Sequence, residues 1–424
     1  MSKNFELETA LVQSLEEHSE GEPRVYPIVQ STTYNYKDPD FIAELFDLAA
    51  NGHMYSRISN PTVAVFENKI AQIEGGIGAV ATASGQAATT MAILNICSAG
   101  DHVVASSTLY GGTYTVLAST FRKIGIETSF ISPDSSAEEI EKAFKANTKA
   151  LFAETIGNPG INVLDFEKFS NVAKRQGVPF IVDNTIATPY LCRPIEHGAN
   201  IVIHSASKYI DGQASCLGGV VVDAGNFDWT NGKFACLVDP DPDYHGISYV
   251  KQFGNAAYIV KARTNILRDY GPTLSAFNAY IYNRGLETLH LRMERHSENA
   301  LRVAEFLQNN KNVSWVNYPK LEGSKDFDLA EKYLPNGASG IILFGIKGGK
   351  EAGRKFAKSL KWINNVVHLG DARTCLLHPA STSHRQLSEE QQIAAGVSQE
   401  AIRLNVGIEN VNDIIKDLEQ ALEA

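Results

Sequence analysis

The chain has 424 residues, of which 44% are hydrophobic and 20% charged, a balance that builds a globular core and excludes an extended disordered chain. Lys and Arg total 38 against 48 Asp and Glu, and a formal charge of −10 argues against nucleic acid or any other polyanion as partner. No apolar stretch approaches the roughly 20 residues that span a bilayer, and Met1-Ser2-Lys3-Asn4-Phe5-Glu6 lacks the layout of a signal peptide, so a soluble cytoplasmic protein without a membrane partner is expected.

Residues 1–62 carry Pro23, Pro27, Pro39 and Pro61 and a run from Tyr26 to Tyr36 that reads as extended. Too polar and broken to form a core, this segment is predicted to lie as an arm across something else, a second subunit included. Val63, Phe66, Ile70 and Ile73 then recur at helical spacing and stop at Gly75-Gly76, a helix C-cap signature. Gly76-Ile77-Gly78-Ala79-Val80-Ala81 matches the G-x-G-x-x-A dinucleotide fingerprint, but a helix precedes it where a strand should stand, which weakens the nicotinamide reductase it suggests. Ala83-Ser84-Gly85-Gln86-Ala87-Ala88 opens a helix reaching Leu94, with Ser84 placed to cap it; the start is as fit to be an anion site as to be a plain Gly-rich cap.

Short apolar runs predict strands at 102–105, 127–131, 150–153, 180–182, 201–203 and 219–222, with helices at 137–145 and 166–176 between them. Alternation of this kind means βαβ units and a mostly parallel sheet, whose ligands bind beyond the carboxyl ends of the strands. From about residue 261 a long helix at 285–308, a strand at 339–346 and a final helix carrying Val411, Ile414, Ile415, Leu418 and Leu422 on one face predict a smaller α+β domain. The expected division is an arm over 1–62, a large α/β domain over 63–260 and the smaller domain over 261–424. Cys97, Cys192, Cys216, Cys236 and Cys375 form no C-x-x-C pair, so neither a disulfide framework nor a zinc site is suggested.

Two strand ends carry chemistry. Phe180-Ile181-Val182 runs into Asp183-Asn184-Thr185, and Ile201-Val202-Ile203 into His204-Ser205-Ala206-Ser207-Lys208-Tyr209. Either the aspartate or the lysine alone is usually a solvated or ion-paired surface group. Together they have a specific meaning: a lysine in a semi-apolar pocket can lose its proton and bond an aldehyde, and a carboxylate can keep a pyridine nitrogen protonated. Hydroxyls and helix-end N–H groups would hold a phosphate, which completes a pyridoxal 5'-phosphate site.

At these residues the chain resembles the Cys/Met-metabolism group of fold-type-I pyridoxal-phosphate transferases and lyases, in which cystathionine synthases and lyases, methionine γ-lyase and O-acetylhomoserine sulfhydrylases are grouped. Seven segments in family order carry the resemblance: Tyr55-Ser56-Arg57, Ser84 to Ala88, Tyr110-Gly111-Gly112-Thr113, Glu154 to Pro159, Val182 to Thr185, Ser205 to Tyr209 and Arg403 to Glu409. The resemblance implies that Lys208 is the Schiff-base lysine, Asp183 the partner of the pyridine nitrogen, and Tyr110 a ring-stacking residue that assists proton transfer. Gly85, Gln86, Ser205 and Ser207 would hold the phosphate, with Tyr55 and Arg57 reaching in from a neighbouring subunit of a tetramer. Ser84, Asn158 and Thr185 complete the implied cofactor set, and Asn158 with Arg403 would bind the substrate carboxylate.

Asp239 to Gly246, Gly370-Asp371-Ala372-Arg373-Thr374 and His378 to His384 resemble the sulfhydrylase branch. That implies γ-replacement on O-acetyl-L-homoserine by sulfide or another sulfur donor, with a γ-lyase on the same fold as the alternative. Three features depart from the family pattern: Ser207 where Thr is common, His368 where Ser or Asn is expected, and Ile210 to Cys216 in place of a Gly/His-rich run. The side-chain roles of His368, Asp371 and Cys216 are left open by the sequence.

Overall fold

The computed structural model describes residues 5–13, 20–382, 385 and 398–424. Seven strands form the larger sheet: β1 (Gly78–Thr82), β2 (His102–Ser106), β3 (Glu127–Ile131), β4 (Thr148–Glu154), β5 (Phe180–Asp183), β6 (Ile201–His204) and β7 (Gly219–Asp223), in the order β1-β7-β6-β5-β4-β2-β3. β7 runs antiparallel to both its neighbours, and every other pairing is parallel. Helices cover both faces, so central strands such as Ile201–His204 are buried throughout and read as unbroken apolar runs.

Helix ends follow local chemistry. Asn60 caps the helix Pro61–Glu74 by accepting from the N–H groups of Thr62 and Val63, and Gly75 ends it at φ 81°. Asp165 and Gly177 do the same for Phe166–Gln176. A second sheet has the order β10-β11-β12-β9-β8, from β8 (Val313–Asn317), β9 (Ile341–Ile346), β10 (Asn364–Asn365), β11 (Cys375–Leu377) and β12 (Ala401–Asn405). Helices Leu289–Gln308 and Gly349–Ser359 pack on it, and Val411–Leu422 packs against both of them with Ile414 and Leu418 fully buried.

Several expectations are corrected. The segment 1–62 is not wholly extended; it includes helices Leu7–Val12 and Pro39–Phe46, while Val29 and Pro27 are pinned through hydrogen bonds to Thr62 Oγ1. Gly78–Thr82 is a strand that the glycine-rich fingerprint masked. The motif runs from the end of the helix Pro61–Glu74 into β1 itself and does not form the turn between a strand and a helix, so the dinucleotide arrangement is not met there. The single helix expected at 285–308 is two, Ala276–Glu287 and Leu289–Gln308, broken at Thr288, whose hydroxyl bonds back to the Gly285 carbonyl. The helix expected at 137–145 stops at Lys142, and the strand expected from Ser339 begins at Ile341. The boundary expected at 260–261 falls within helical chain running from Ala257 to Tyr270.

Candidate active site

Parallel pairing puts the ends of β4, β5 and β6 side by side, with Glu154 in register with Asp183 and β6 leading directly into Ser205. Thr155 Oγ1 donates to Asn184 Oδ1 at 2.7 Å, and Asn184 Nδ2 donates to Glu74 Oε1 at 2.9 Å. His204 Nε2 faces the same Glu74 oxygen at 2.5 Å, so a buried polar network locks three strand ends to the helix Pro61–Glu74. Asp183 Oδ1 accepts from both the N–H and the hydroxyl of Thr185, at 2.9 and 2.5 Å. Burial pushes its carboxyl above the usual range, and the Thr185 donors pull it back. Glu154, raised further by burial and by the charge of Asp183, accepts from Tyr110 N at 2.7 Å and Asn158 N at 3.1 Å.

Lys208 stands on the turn after β6. Burial pulls its amine below the ordinary lysine range, and the positive charge of Arg403 adds to the effect. Its Nζ lies 3.3 Å from His368 Nδ1. Arg403, on β12, is buried; Nη1 donates to Asn158 Oδ1 at 3.2 Å and Nη2 to the His368 carbonyl at 3.0 Å. Gly370 makes this approach possible. At φ 76°, a Cβ there would stand 2.6 Å from Tyr209 N and 2.9 Å from the Lys208 carbonyl carbon.

On the other side, the helix Gly85–Leu94 begins against Ser205. A Cβ on Gly85 would come within 2.5 Å of Ser205 Cβ, and Ser84 Oγ caps the helix by accepting from Ala87 N. The first N–H groups of a helix have no partner within it and attract anions. Gln86 Nε2 is buried and has no hydrogen-bond partner among the described residues. Thr185 Oγ1 accepts from Ser205 N, which joins the Asp183 turn to this helix start. Tyr110 is 53% exposed, and its ring lies beside Gly112, where a Cβ would meet Tyr110 Cε1 at 2.5 Å and Gln86 Oε1 at 3.0 Å.

Two groups of predicted residues stand differently. Ser207 is buried, with its hydroxyl donating to the Gly218 carbonyl and accepting from Gly218 N, so its bonds go to the scaffold. Tyr55 and Arg57 are exposed; Arg57 lies over the Tyr55 ring at 5.4 Å and Nη1 donates to the Arg268 carbonyl. No hydrogen bond among the described residues joins them to Lys208, Gly85 or Ser205. His378 bonds Ser381 and the Gln399 carbonyl through its two ring nitrogens, and Asp371 is held by Arg373. Ser383 and His384 lie outside the described residues. Cys216 is half-buried and raised by burial, as a packed thiol is. A cavity of about 530 Å³ between the arm and the helices Pro61–Glu74 and Ala276–Glu287 contains none of the candidate residues.

The sequence missed Glu154 and His368 as site residues. Glu154 carried a signal, because it ends an apolar strand as Asp183 does, and the two are paired in register; His368 was visible only as a departure from pattern.

A lysine and a carboxylate at neighbouring strand ends, with an anion-ready helix start on one side and a buried arginine on the other, are the marks of a fold-type-I cofactor enzyme. The chain belongs to the Cys/Met metabolism PLP-dependent enzyme family, whose profile matches residues 8–423. It is 47% identical to an O-acetyl-L-homoserine sulfhydrylase of Leptospira meyeri, with 100% of this chain and 98% of the relative aligned. It is 44% identical to a homocysteine synthase of Schizosaccharomyces pombe, over 98% of this chain and 99% of the relative. A crystal structure of an O-acetylhomoserine (thiol)-lyase from Campylobacter jejuni, carrying N'-pyridoxyl-lysine-5'-monophosphate, superposes with a TM-score of 0.96 at 38% identity, covering 99% of this chain and 100% of the other. The metB structure from Corynebacterium glutamicum gives 0.83 at 31% identity. Pyridoxal phosphate is the cofactor of this family, and the residues here fit it: the orphaned Gln86 donor and the Gly85–Ser205 cradle suit a phosphate, and Asp183 and Lys208 suit a ring nitrogen and an aldehyde.

Proposed function

We propose that this chain is a pyridoxal-phosphate enzyme of γ-replacement that converts O-acetyl-L-homoserine and sulfide into L-homocysteine and acetate. The observation that carries the reading is the placement of Lys208 and Asp183 at adjoining strand ends, with Arg403 and Asn158 beyond the lysine. When bound, the cofactor supplies an aldehyde carbon for the amines and a protonated ring that draws electron density from the substrate's Cα.

The chain's own residues do the rest. Arg403 binds the substrate carboxylate through its guanidinium fork, with Asn158 fixing the fork's orientation. Lys208, its amine pulled below the ordinary lysine range by burial, takes the proton from Cα and is placed to move protons at neighbouring carbons. Asp183 holds a proton on the ring nitrogen, Tyr110 covers the ring, and the Gly85–Gln86 helix start with Ser205 holds the phosphate, while Ser84 and Thr185 shape that cradle. Ser207 acts through Gly218 to fix the turn. Loss of acetate and addition of sulfide at Cγ balance as one acyloxy group leaving and one thiol arriving.

The working molecule is a homo-oligomer, a tetramer of two dimers, in which the arm of one subunit delivers Tyr55 and Arg57 to the phosphate of another. The outward, solvent-facing stance of that pair supports the reading. Borohydride treatment of the yellow holoenzyme followed by peptide mapping tests it. A pyridoxyl group on Lys208 is expected; its appearance on another lysine, or a colourless protein, would contradict the proposal.

A further inference from the structure

His368 occupies a position where the sequence pattern leads to Ser or Asn, and its surroundings give the imidazole a task. Its Nδ1 is 3.3 Å from Lys208 Nζ, while Nε2 is buried and has no hydrogen-bond partner among the described residues. The backbone that carries the ring is anchored. The His368 carbonyl accepts from Arg403 Nη2, Gly370 N donates to Asn405 Oδ1 at 2.8 Å, and Gly370 is packed directly on the Lys208–Tyr209 backbone. A lysine amine on four rotatable carbons has no such fixity of its own.

We propose that His368 is a positioning residue for Lys208, its Nδ1 taking a hydrogen bond from Nζ and holding the free amine on the side of the site where Asn158 and Arg403 stand. The inference rests on the reading of Lys208 as the cofactor lysine and proton carrier. Burial first, and then the charge of Lys208, lowers the His368 pKa to about 4, so the ring is a neutral acceptor at working pH. Lys208 and Arg403 face it as cations and Asp371 and Asp211 as anions, and the two cations oppose its protonation. With Nδ1 accepting, the ring proton sits on Nε2.

The two ring nitrogens have different mimics. An Asn side chain places its amide near the position of Nδ1, whereas Gln reaches toward that of Nε2. His368→Asn, His368→Gln and His368→Ala are therefore compared in two measurements. One is the rate at which the full-length chain, stripped of cofactor, regains visible absorbance on addition of pyridoxal phosphate. The other is the separation of kcat from KM for O-acetyl-L-homoserine. A base displaced by about 1 Å costs on the order of 100-fold. His368→Ala and His368→Gln should thus lose about tenfold or more in both the capture rate and kcat, with KM within about twofold, and His368→Asn should recover most of both. If the Ala variant does not fold, the Asn and Gln comparison decides alone. Wild-type capture and kcat in the Ala variant, equal recovery by Gln and Asn, or a change confined to KM would overturn the inference. Borohydride mapping of each variant separates the two readings. An adduct on Lys208 with unchanged kinetics defeats only the role of His368, and an adduct elsewhere defeats the functional reading and this inference with it.

Discussion

Asp183 is a carboxylate held against its own burial. Removed from water, its pKa rises, and the two Thr185 donors only partly restore the charged form. A protonated pyridine nitrogen bound opposite would supply the missing compensation, and the carboxylate would in return keep that nitrogen protonated. Asp183→Asn removes the charge and keeps the shape. It should bind close to one cofactor per chain, measured by alkaline release, while kcat falls on the order of 100-fold or more, as when a preorganised electrostatic partner is lost. Near-normal turnover at full cofactor content would exclude the role. Asp183 and Lys208 were legible in the sequence because each follows an apolar run that can only be a buried strand. Glu154 and His368 were not, since the role of each depends on a neighbour far along the chain: Tyr110 for Glu154, Lys208 for His368. Ser207, whose hydroxyl next to the lysine suggested a phosphate ligand, bonds to Gly218 in the structure.

Among the elements, most strands were readable from their apolar composition. β2 and β4 through β7 are buried apolar runs, whereas β3, Glu127–Ile131, is a partly exposed edge strand marked only by Phe130 and Ile131 at its end. β1 escaped because Gly78-Ala79-Val80-Ala81 is made of small residues, and only its antiparallel pairing with β7 defines it. That pairing ends at Asp223, whose carboxyl is pushed up to about 7 by burial, with one oxygen accepting from Gly225 N and the other buried without a partner among the described residues. Between about pH 4 and pH 7 the folded chain keeps a proton that the unfolded chain has released, so stability due to this group is full below about pH 4 and declines as pH rises. The loss is on the order of a few kcal/mol at most, since each tenfold difference in proton affinity between the two states is worth about 1.4 kcal/mol. Asp223→Asn cannot ionise. Its Tm should match or trail wild type at pH 5 and exceed it at pH 8, measured at one cofactor and protein concentration; an unchanged difference between the two pH values would contradict the assignment.

For the whole molecule, the arm is the part whose placement sequence could suggest but not fix. Pro27 and Val29 are pinned to Thr62 at the start of the helix Pro61–Glu74, and the chain leading into that helix carries Tyr55 and Arg57 to an exposed edge beside Arg268. If that edge meets a second subunit's phosphate, each site is composite. Arg57→Ala and Lys208→Ala should both be inactive, and mixed oligomers reassembled from the two should regain activity, since some sites then carry both wild-type residues. Demonstrated subunit exchange with no recovered activity would confine Arg57 to its own chain.

Replacement of the γ-substituent and its mere elimination differ in their products. Holoenzyme incubated with O-acetyl-L-homoserine and sulfide should release acetate and L-homocysteine in equal amounts, with ammonia well below either. Acetate accompanied by equal ammonia and a 2-oxo acid, with no homocysteine despite the sulfide present, would identify a lyase and contradict the account.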